Sequence, residues 1–566
     1  MSYWHYMYLR YWVWLYFIPI LVVFWRKPLF ANRLLAPIET LFSRIAAHKQ
    51  WAIVLAILFP ILFRLSLIGI FPIRPPGVVD EFSYLLASDT FAHGRLANPP
   101  HPMAVFFDTI FVLQHPTYAS MYPPAQGAVL AIGQLLGNPW FGVLLSTGLM
   151  FGAILWMLQA WVSPRWAFLG AAIPFLKFGT FSYWMNGYWG GSVAAIGGAL
   201  VMGALPRIFR NQRMADALLM GLGIIILANS RPYEGFLLCL PVAFAVIWWL
   251  FSRRSPSWRV TLQHVILPIT AMVLLTVICC GYYDWRVTGN PFLLPHTLHE
   301  RQYETVRSFV WMSPLPPMHY NNAQFDAAYT TQAHMAYRHT WEDYQRVVNK
   351  KVDDFYLFFI GPALLIPFIT IPLLFTNRRV RFLLFLFGFY CAGSLVVIWS
   401  QPHYSAPVLG TFLILLTQML RYLRRWTYLG RPVGIGITRA LILYSAAAIP
   451  VFTFQTALNP HTQTGSGSLS NWDRDRVVKE LSANPGPQLV IVRYSRTHHD
   501  VGSEWVYNAA DIDHSHIVWA REIPGINSQP LLAYYKDRKV WIVEPDVTPV
   551  VLKPYSSPAS ENAPHQ

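Results

Sequence analysis

Residues 74–89, RPPGVVDEFSYLLASD, put two adjacent carboxylates, Asp80 and Glu81, just past an apolar run, WAIVLAILFPILFRLSLIGIF. Charge beside a membrane is costly unless it faces water and does something there. A carboxylate at such a boundary can serve as general base toward an incoming hydroxyl, if held within hydrogen-bond reach. An aliphatic hydroxyl is far less acidic than a carboxylic acid. The base therefore helps in the transition state, once the oxygen is losing charge. On a helix, Tyr84 would share a face with Asp80, four residues away. The plainer reading makes Asp80 the cap of a helix FSYLLASDTFAHG, a task that suits Asp.

A base of this kind works with a cation that receives a leaving anion. Arg231 opens an apolar run, and Glu234 follows one helical turn later; a self-contained Arg–Glu ion pair at a helix end is the alternative. Arg64 and Lys177 stand inside apolar runs, roughly 10 Å from their outer ends. Both suit a lipid phosphate, and both could equally snorkel to the interface. Polar residues also gather in MNGYWGG, which contains Asn186, and in SQPHYS, which contains His403 and Tyr404. His101, His115, His296, His299, His319 and His403 show no recognisable zinc spacing and read as solvated loop residues.

The elements that must position these groups follow from composition. Of 566 residues, 54% are hydrophobic and 12% charged, against about a quarter charged in soluble proteins. Apolar runs near 11–25, 51–71, 141–162, 166–185, 190–206, 214–230, 235–251, 263–283, 355–375, 381–400, 404–423 and 439–458 read as membrane spans. The expected fold is therefore a polytopic α-helical membrane protein of about 11–13 spans. Its four cysteines, Cys239, Cys279, Cys280 and Cys391, sit inside apolar runs as packing residues. The net charge of +16 comes from arginines in short linkers, not from a basic patch interleaved with aromatics, so no nucleic-acid partner is expected.

Those arginines order the linkers. Segment 26–50 and the linkers carrying Arg165, Arg207, Arg210, Arg213, Arg253, Arg254, Arg259, Arg378, Arg379, Arg381, Arg421, Arg424, Arg425, Arg431 and Arg439 fall on one side, the cytoplasm by the positive-inside rule. External loops at 72–140 and 284–354, MNGYWGG, NSRPYE, SQPHYS and the C-terminal region fall on the other. The alternation holds if 124–137 is a re-entrant or interfacial helix, too short to span. Within the first loop, MAVFFDTIFVL reads as an interfacial helix. Three parts result: 1–50, an N-terminal segment and linker; 51–460, the membrane domain; 465–566, an external domain. In the last, GSGSLSNWD is a linker. The segments DRDRVVKELSAN, EWVYNAADID and NSQPLLAYYKD read as helices, alternating with strands QLVIVRYS, HIVWARE and KVWIVEPD. That pattern is a small α/β domain with a mostly parallel sheet.

Joined together, an acidic pair in the first external loop, a proline pair ending that loop (Tyr122-Pro123-Pro124), and a Tyr with Pro shortly after it (His403-Tyr404-Ser405-Ala406-Pro407) resemble the GT-C superfamily of membrane glycosyltransferases. The likeness is to the branch of bacterial protein O-mannosyltransferases and aminoarabinose transferases. The resemblance implies a polyprenyl-phosphate-linked sugar donor, reaction on the external face of a bacterial inner membrane, Asp80 as base, and inversion at the sugar carbon. It implies an acceptor hydroxyl on a protein, lipid or glycan. Two departures stand out. Tyr122 replaces the Lys that commonly precedes the proline pair, which opens a phosphate role to Arg231, Arg64 or Lys177. Some relatives carry an acid where this chain reads MNGYWGG, so a divalent metal, with Glu81 beside it, stays an open expectation. A transporter or flippase would instead call for repeats or broken helices at mid-membrane; a polymerase or ligase of lipid-linked glycans would share the substrates.

Overall fold

A computed structural model describes residues 17–252, 257–316, 318–320, 322–331, 340–458, 471–495, 498 and 504–555. The GSGSLS part of the expected linker and residues 11–16 of the first expected span lie outside the described residues. Among the described residues, six helices are long and apolar enough to cross a membrane: Lys49–Ser66, Trp140–Trp161, Ser192–Asn211, Pro232–Leu250, Trp258–Thr288 and Val433–Leu458. A seventh span arises if Trp341–Ile360 and Ala363–Leu374, bent by 100° at their junction, count as one. Gly361 makes that bend at φ +65°, in the left-handed region that favours glycine. Other expected spans are helical but shorter, as in Phe17–Arg26, Met214–Ala228, Arg378–Ser394 and Leu409–Arg424. The span expected at 166–185 is broken: helix Pro164–Pro174 passes into a π-helical turn, Phe175–Gly179, and then into Tyr183–Asn186. Pro174 removes a backbone donor where the helix gives way.

Large apolar side chains such as Trp248, Val277, Ile278 and Phe385 stand exposed on the helix surfaces. A protein surrounded by water could not carry so much apolar surface, and this chain is an integral membrane protein. Inside, small residues let backbones touch. A Cβ added to Gly198 would lie 2.0 Å from the Pro407 carbonyl oxygen, and one on Gly142 2.2 Å from that of Val129.

The C-terminal domain holds a four-stranded sheet in the order Ile517–Arg521, Gln488–Val492, Lys539–Val543, Leu552–Pro554. The first three strands are parallel, with Val490 opposite both Trp519 and Trp541, and the last is antiparallel. Side chains alternate along the central strand. Val490 and Val492 pack with Val477 and Leu481 of helix Trp472–Ser482, whereas Leu489 and Ile491 join Phe106, Phe107 and Val112 of the first loop.

Two sequence expectations change here. MAVFFDTIFVL is not an interfacial helix: beyond a single turn, Ala104–Phe106, it is irregular chain and a two-residue strand, Val112–Leu113. Met103, Val105, Phe106, Phe107 and Val112 pack against the C-terminal domain, Ile110 against Phe325 and Tyr329, and Leu113 against Tyr283 and Val287. EWVYNAADID is likewise irregular. The Glu504 carboxylate accepts from the Trp505 and Val506 amides, and Asn508 exchanges two hydrogen bonds with the Trp519 backbone, satisfying groups a helix would have paired.

The C-terminal domain rests on helix Val79–Ala92, which carries the acidic pair. Phe82 stacks on Tyr507 at 4.8 Å, Asp89 accepts from the Ala510 amide at 2.7 Å, and Arg474 lies over the rings of Phe82, Tyr507 and Trp519.

Candidate active site

Asp80 and Glu81 occupy the first turn of helix Val79–Ala92, where the helix dipole favours negative charge. Their surroundings give them different tasks. Glu81 is 1% exposed. One carboxylate oxygen accepts from the Gly77 and Val78 amides (2.9 and 3.4 Å), and the other from the Tyr188 amide at 3.0 Å. Glu81 thus closes the start of its own helix and ties it to MNGYWGG. Gly187 is required beside it, because a Cβ there would stand 2.8 Å from Glu81 Oε1. Burial pushes the Glu81 carboxyl up to about 7 against the pull of those amides.

Asp80 points the other way. Its carboxylate accepts the Tyr122 hydroxyl, and the Tyr122 ring stacks on Tyr84 with centroids 4.3 Å apart and planes 14° from parallel. Tyr122 is held in turn by a relay through the first loop. Its amide donates to Ser120 Oγ at 3.1 Å, which is 2.7 Å from Ser83 Oγ, and Ser83 also donates to the Phe111 carbonyl. Burial raises the Asp80 carboxyl, while the Tyr122 hydrogen bond and the Arg231 charge pull it down. Desolvation and the two polar partners thus act on Asp80 in opposite senses.

Arg231 precedes helix Pro232–Leu250, and its guanidinium lies 4.4 Å from the centre of the Tyr404 ring. Burial alone would lower its pKa, but Tyr84, Tyr404, Glu234 and Tyr122 stand close enough to raise it, so the cation is fixed. Among the described residues Arg231 makes no ion pair with Glu234, although both are on the first turn; the self-contained pair is not formed. Glu234 is buried, with Arg231 and Lys351 within electrostatic range. Tyr404 is anchored from behind, where its carbonyl accepts the Tyr390 hydroxyl at 2.6 Å. Its neighbour His403 is buried and pinned: Nδ1 lies 2.9 Å from the Tyr183 hydroxyl, which also accepts the His403 amide at 3.2 Å. Burial and then Arg231 hold His403 well below its usual pKa, so it is a neutral positioning group.

Asp80, Tyr84, Tyr122, Arg231, Glu234 and Tyr404 therefore come together from three loops far apart in sequence. Arg64, Asn186 and Lys177 stand elsewhere. Arg64 is fully buried between the Phe71 and Trp140 rings, and its Nε donates to Asn186 Oδ1 at 2.8 Å. Asn186 Nδ2 donates to the Thr180 and Ser182 carbonyls, both at 2.8 Å. These two residues brace the broken segment beneath MNGYWGG. Lys177 lies in the π-helical turn with its ammonium against the Gly361 backbone. Sequence reasoning passed over Ser83, Ser120, Tyr183 and Lys351. Only Lys351 left a signal, as one of two adjacent lysines just before an apolar run; its Nζ donates to the Trp399 carbonyl at 2.6 Å.

Both Glu81 oxygens are taken by backbone amides, Asp80 faces a guanidinium, and among the described residues no three His, Cys, Asp or Glu side chains cluster.

No family model and no curated protein sequence matches the chain. Solved structures do align with it. The Archaeoglobus fulgidus oligosaccharyltransferase, in complex with Zn and sulfate, aligns at TM-score 0.46 and 12% identity over 86% of this chain and 67% of its own. The oligosaccharyltransferase AglB from Archaeoglobus fulgidus, in complex with an inhibitory peptide and a dolichol-phosphate, aligns at 0.45 and 12% over 88% and 69%. ArnT from Cupriavidus metallidurans, bound to undecaprenyl phosphate, aligns at TM-score 0.44 and 12% identity over 86% of this chain and 93% of its own.

Proposed function

We propose that this chain is a glycosyltransferase of the GT-C type. It moves a sugar from a polyprenyl-phosphate-linked donor to an acceptor hydroxyl on the external face of a bacterial inner membrane. The observation that carries the reading is the pairing, within one cluster, of a half-buried carboxylate, Asp80, with a fixed guanidinium, Arg231, at the ends of apolar helices. As the acceptor oxygen bonds to the sugar carbon from one side, its proton passes to Asp80. The bond to the lipid phosphate breaks on the other side, with its electron pair leaving on the phosphate, and the configuration inverts. Lipid phosphate is a stable anion and needs positive charge, not a general acid, which Arg231 supplies. Oxocarbenium character on the sugar is stabilised by the nearby carboxylate.

Glycan and lipid profiling of cells carrying Asp80→Asn, at matched protein levels, tests this reading. The variant is expected to lose the products that a deletion strain loses. Full restoration of those products would refute Asp80 as base.

A further inference from the structure

The C-terminal domain carries a concave site away from the Asp80 cluster. A cleft of about 460 Å³ opens at the ends where the three parallel strands begin, lined by Asp513, His514, Tyr534, Tyr535, Asp537 and Arg538. Its size falls within the range of about 300–1,000 Å³ typical of small-ligand clefts. Tyr534 and Tyr535 meet nearly at right angles (79°, centroids 4.8 Å apart), and Tyr534 is 43% exposed. Their hydroxyls donate to the two oxygens of Asp513, at 3.0 and 2.7 Å, which fixes both rings. His101 of the first loop reaches the same carboxylate at 3.0 Å, so the wall is braced from outside the domain.

We propose that this cleft binds a saccharide. An exposed, immobilised phenol ring offers a flat apolar surface to the C–H face of a pyranose. The Asp537 carboxylate at its edge can accept from vicinal hydroxyls. An anionic ligand fits poorly. Arg538 already donates to the backbone carbonyls of Gln488, Ser515 and Asp513, and Asp513 and Asp537 would repel a phosphate. The inference stands on this cleft alone and does not depend on Asp80 chemistry.

The test uses the full chain in nanodiscs and saturation-transfer NMR with cellobiose, maltose and chitobiose as probes. At least one disaccharide is expected to bind saturably, to bind at least tenfold more weakly to Tyr534→Ala, and to stay within threefold in Tyr534→Phe, which keeps the ring. Reading the same binding in Asp80→Asn separates this site from the transfer reaction. The proposal is overturned if no probe saturates, if Tyr534→Ala binds as well as the parent, or if inorganic phosphate displaces the sugar.

Discussion

Tyr122 donates its hydroxyl to the Asp80 carboxylate while its ring lies flat on Tyr84. One side chain therefore sets both the basicity of the acid and its orientation. Tyr122→Phe keeps the stack and removes the donor. The hydrogen bond lowers the Asp80 pKa, so its loss raises that pKa and leaves more of the base protonated. The acid limb of the pH–rate profile is expected to move to higher pH. An unmoved limb would show that Tyr122 does not tune the base.

Arg231→Ala is expected to cut the rate of transfer at saturating donor by about 10²–10³, the usual cost of losing one transition-state charge partner. Arg231→Lys recovers part of it, because an ammonium keeps the charge but not the planar contact with Tyr404. Equal rates in all three proteins would place anion stabilisation elsewhere.

Glu81 serves stability more than chemistry. Burial lifts its carboxyl to about 7 from the ordinary 4.5, so the folded chain holds that proton more tightly than the unfolded chain. Stability from this group is then full below about 4.5 and falls as pH rises toward 7. Glu81→Gln, which does not titrate, should flatten that slope. Above pH 8 it should cost about 1–3 kcal/mol for the unsatisfied amide it leaves. Thermal unfolding in detergent at several pH values checks both; identical slopes would refute the assignment.

Gly198→Ala would push a methyl group into the Pro407 carbonyl oxygen, 2.0 Å from its Cβ. Backbone cannot yield as a side chain can, so a loss of about 1–3 kcal/mol is expected. Pro407 lies three residues from Tyr404, so transfer should fall more than the melting temperature alone explains. Parallel thermal and activity assays decide.

Orientation is testable in a background with Cys239, Cys279, Cys280 and Cys391 replaced. Lys536 and Asn211 are both exposed. An impermeant thiol reagent added outside should label Lys536→Cys and spare Asn211→Cys; the reverse pattern would invert the topology.

Much of this was legible along the chain. Apolar runs mark the helices because lipid demands them, and the acidic pair is conspicuous because charge is scarce there. What escaped is non-local. Tyr183 and His403 are 220 residues apart, and nothing near either announces the other. The first loop misled in another way: MAVFFDTIFVL has the composition of a membrane-surface helix, yet Phe106, Phe107 and Val112 find Leu489 and Ile491, on a sheet nearly 400 residues further on. EWVYNAADID failed because Glu504 and Asn508 bind backbone with their side chains. Arg64 and Asn186 were read as ligands for substrate, and they serve each other.

The seating of Phe82 and Asp89 against Tyr507 and Ala510 carries a consequence for biogenesis. The acid-bearing helix is made early, but more than 400 residues must follow before the side that meets Tyr507 and Ala510 is covered. A nascent or truncated chain lacking residues 471–555 would hold Asp80 in an unfinished socket, and the site would be complete only when that domain folds down.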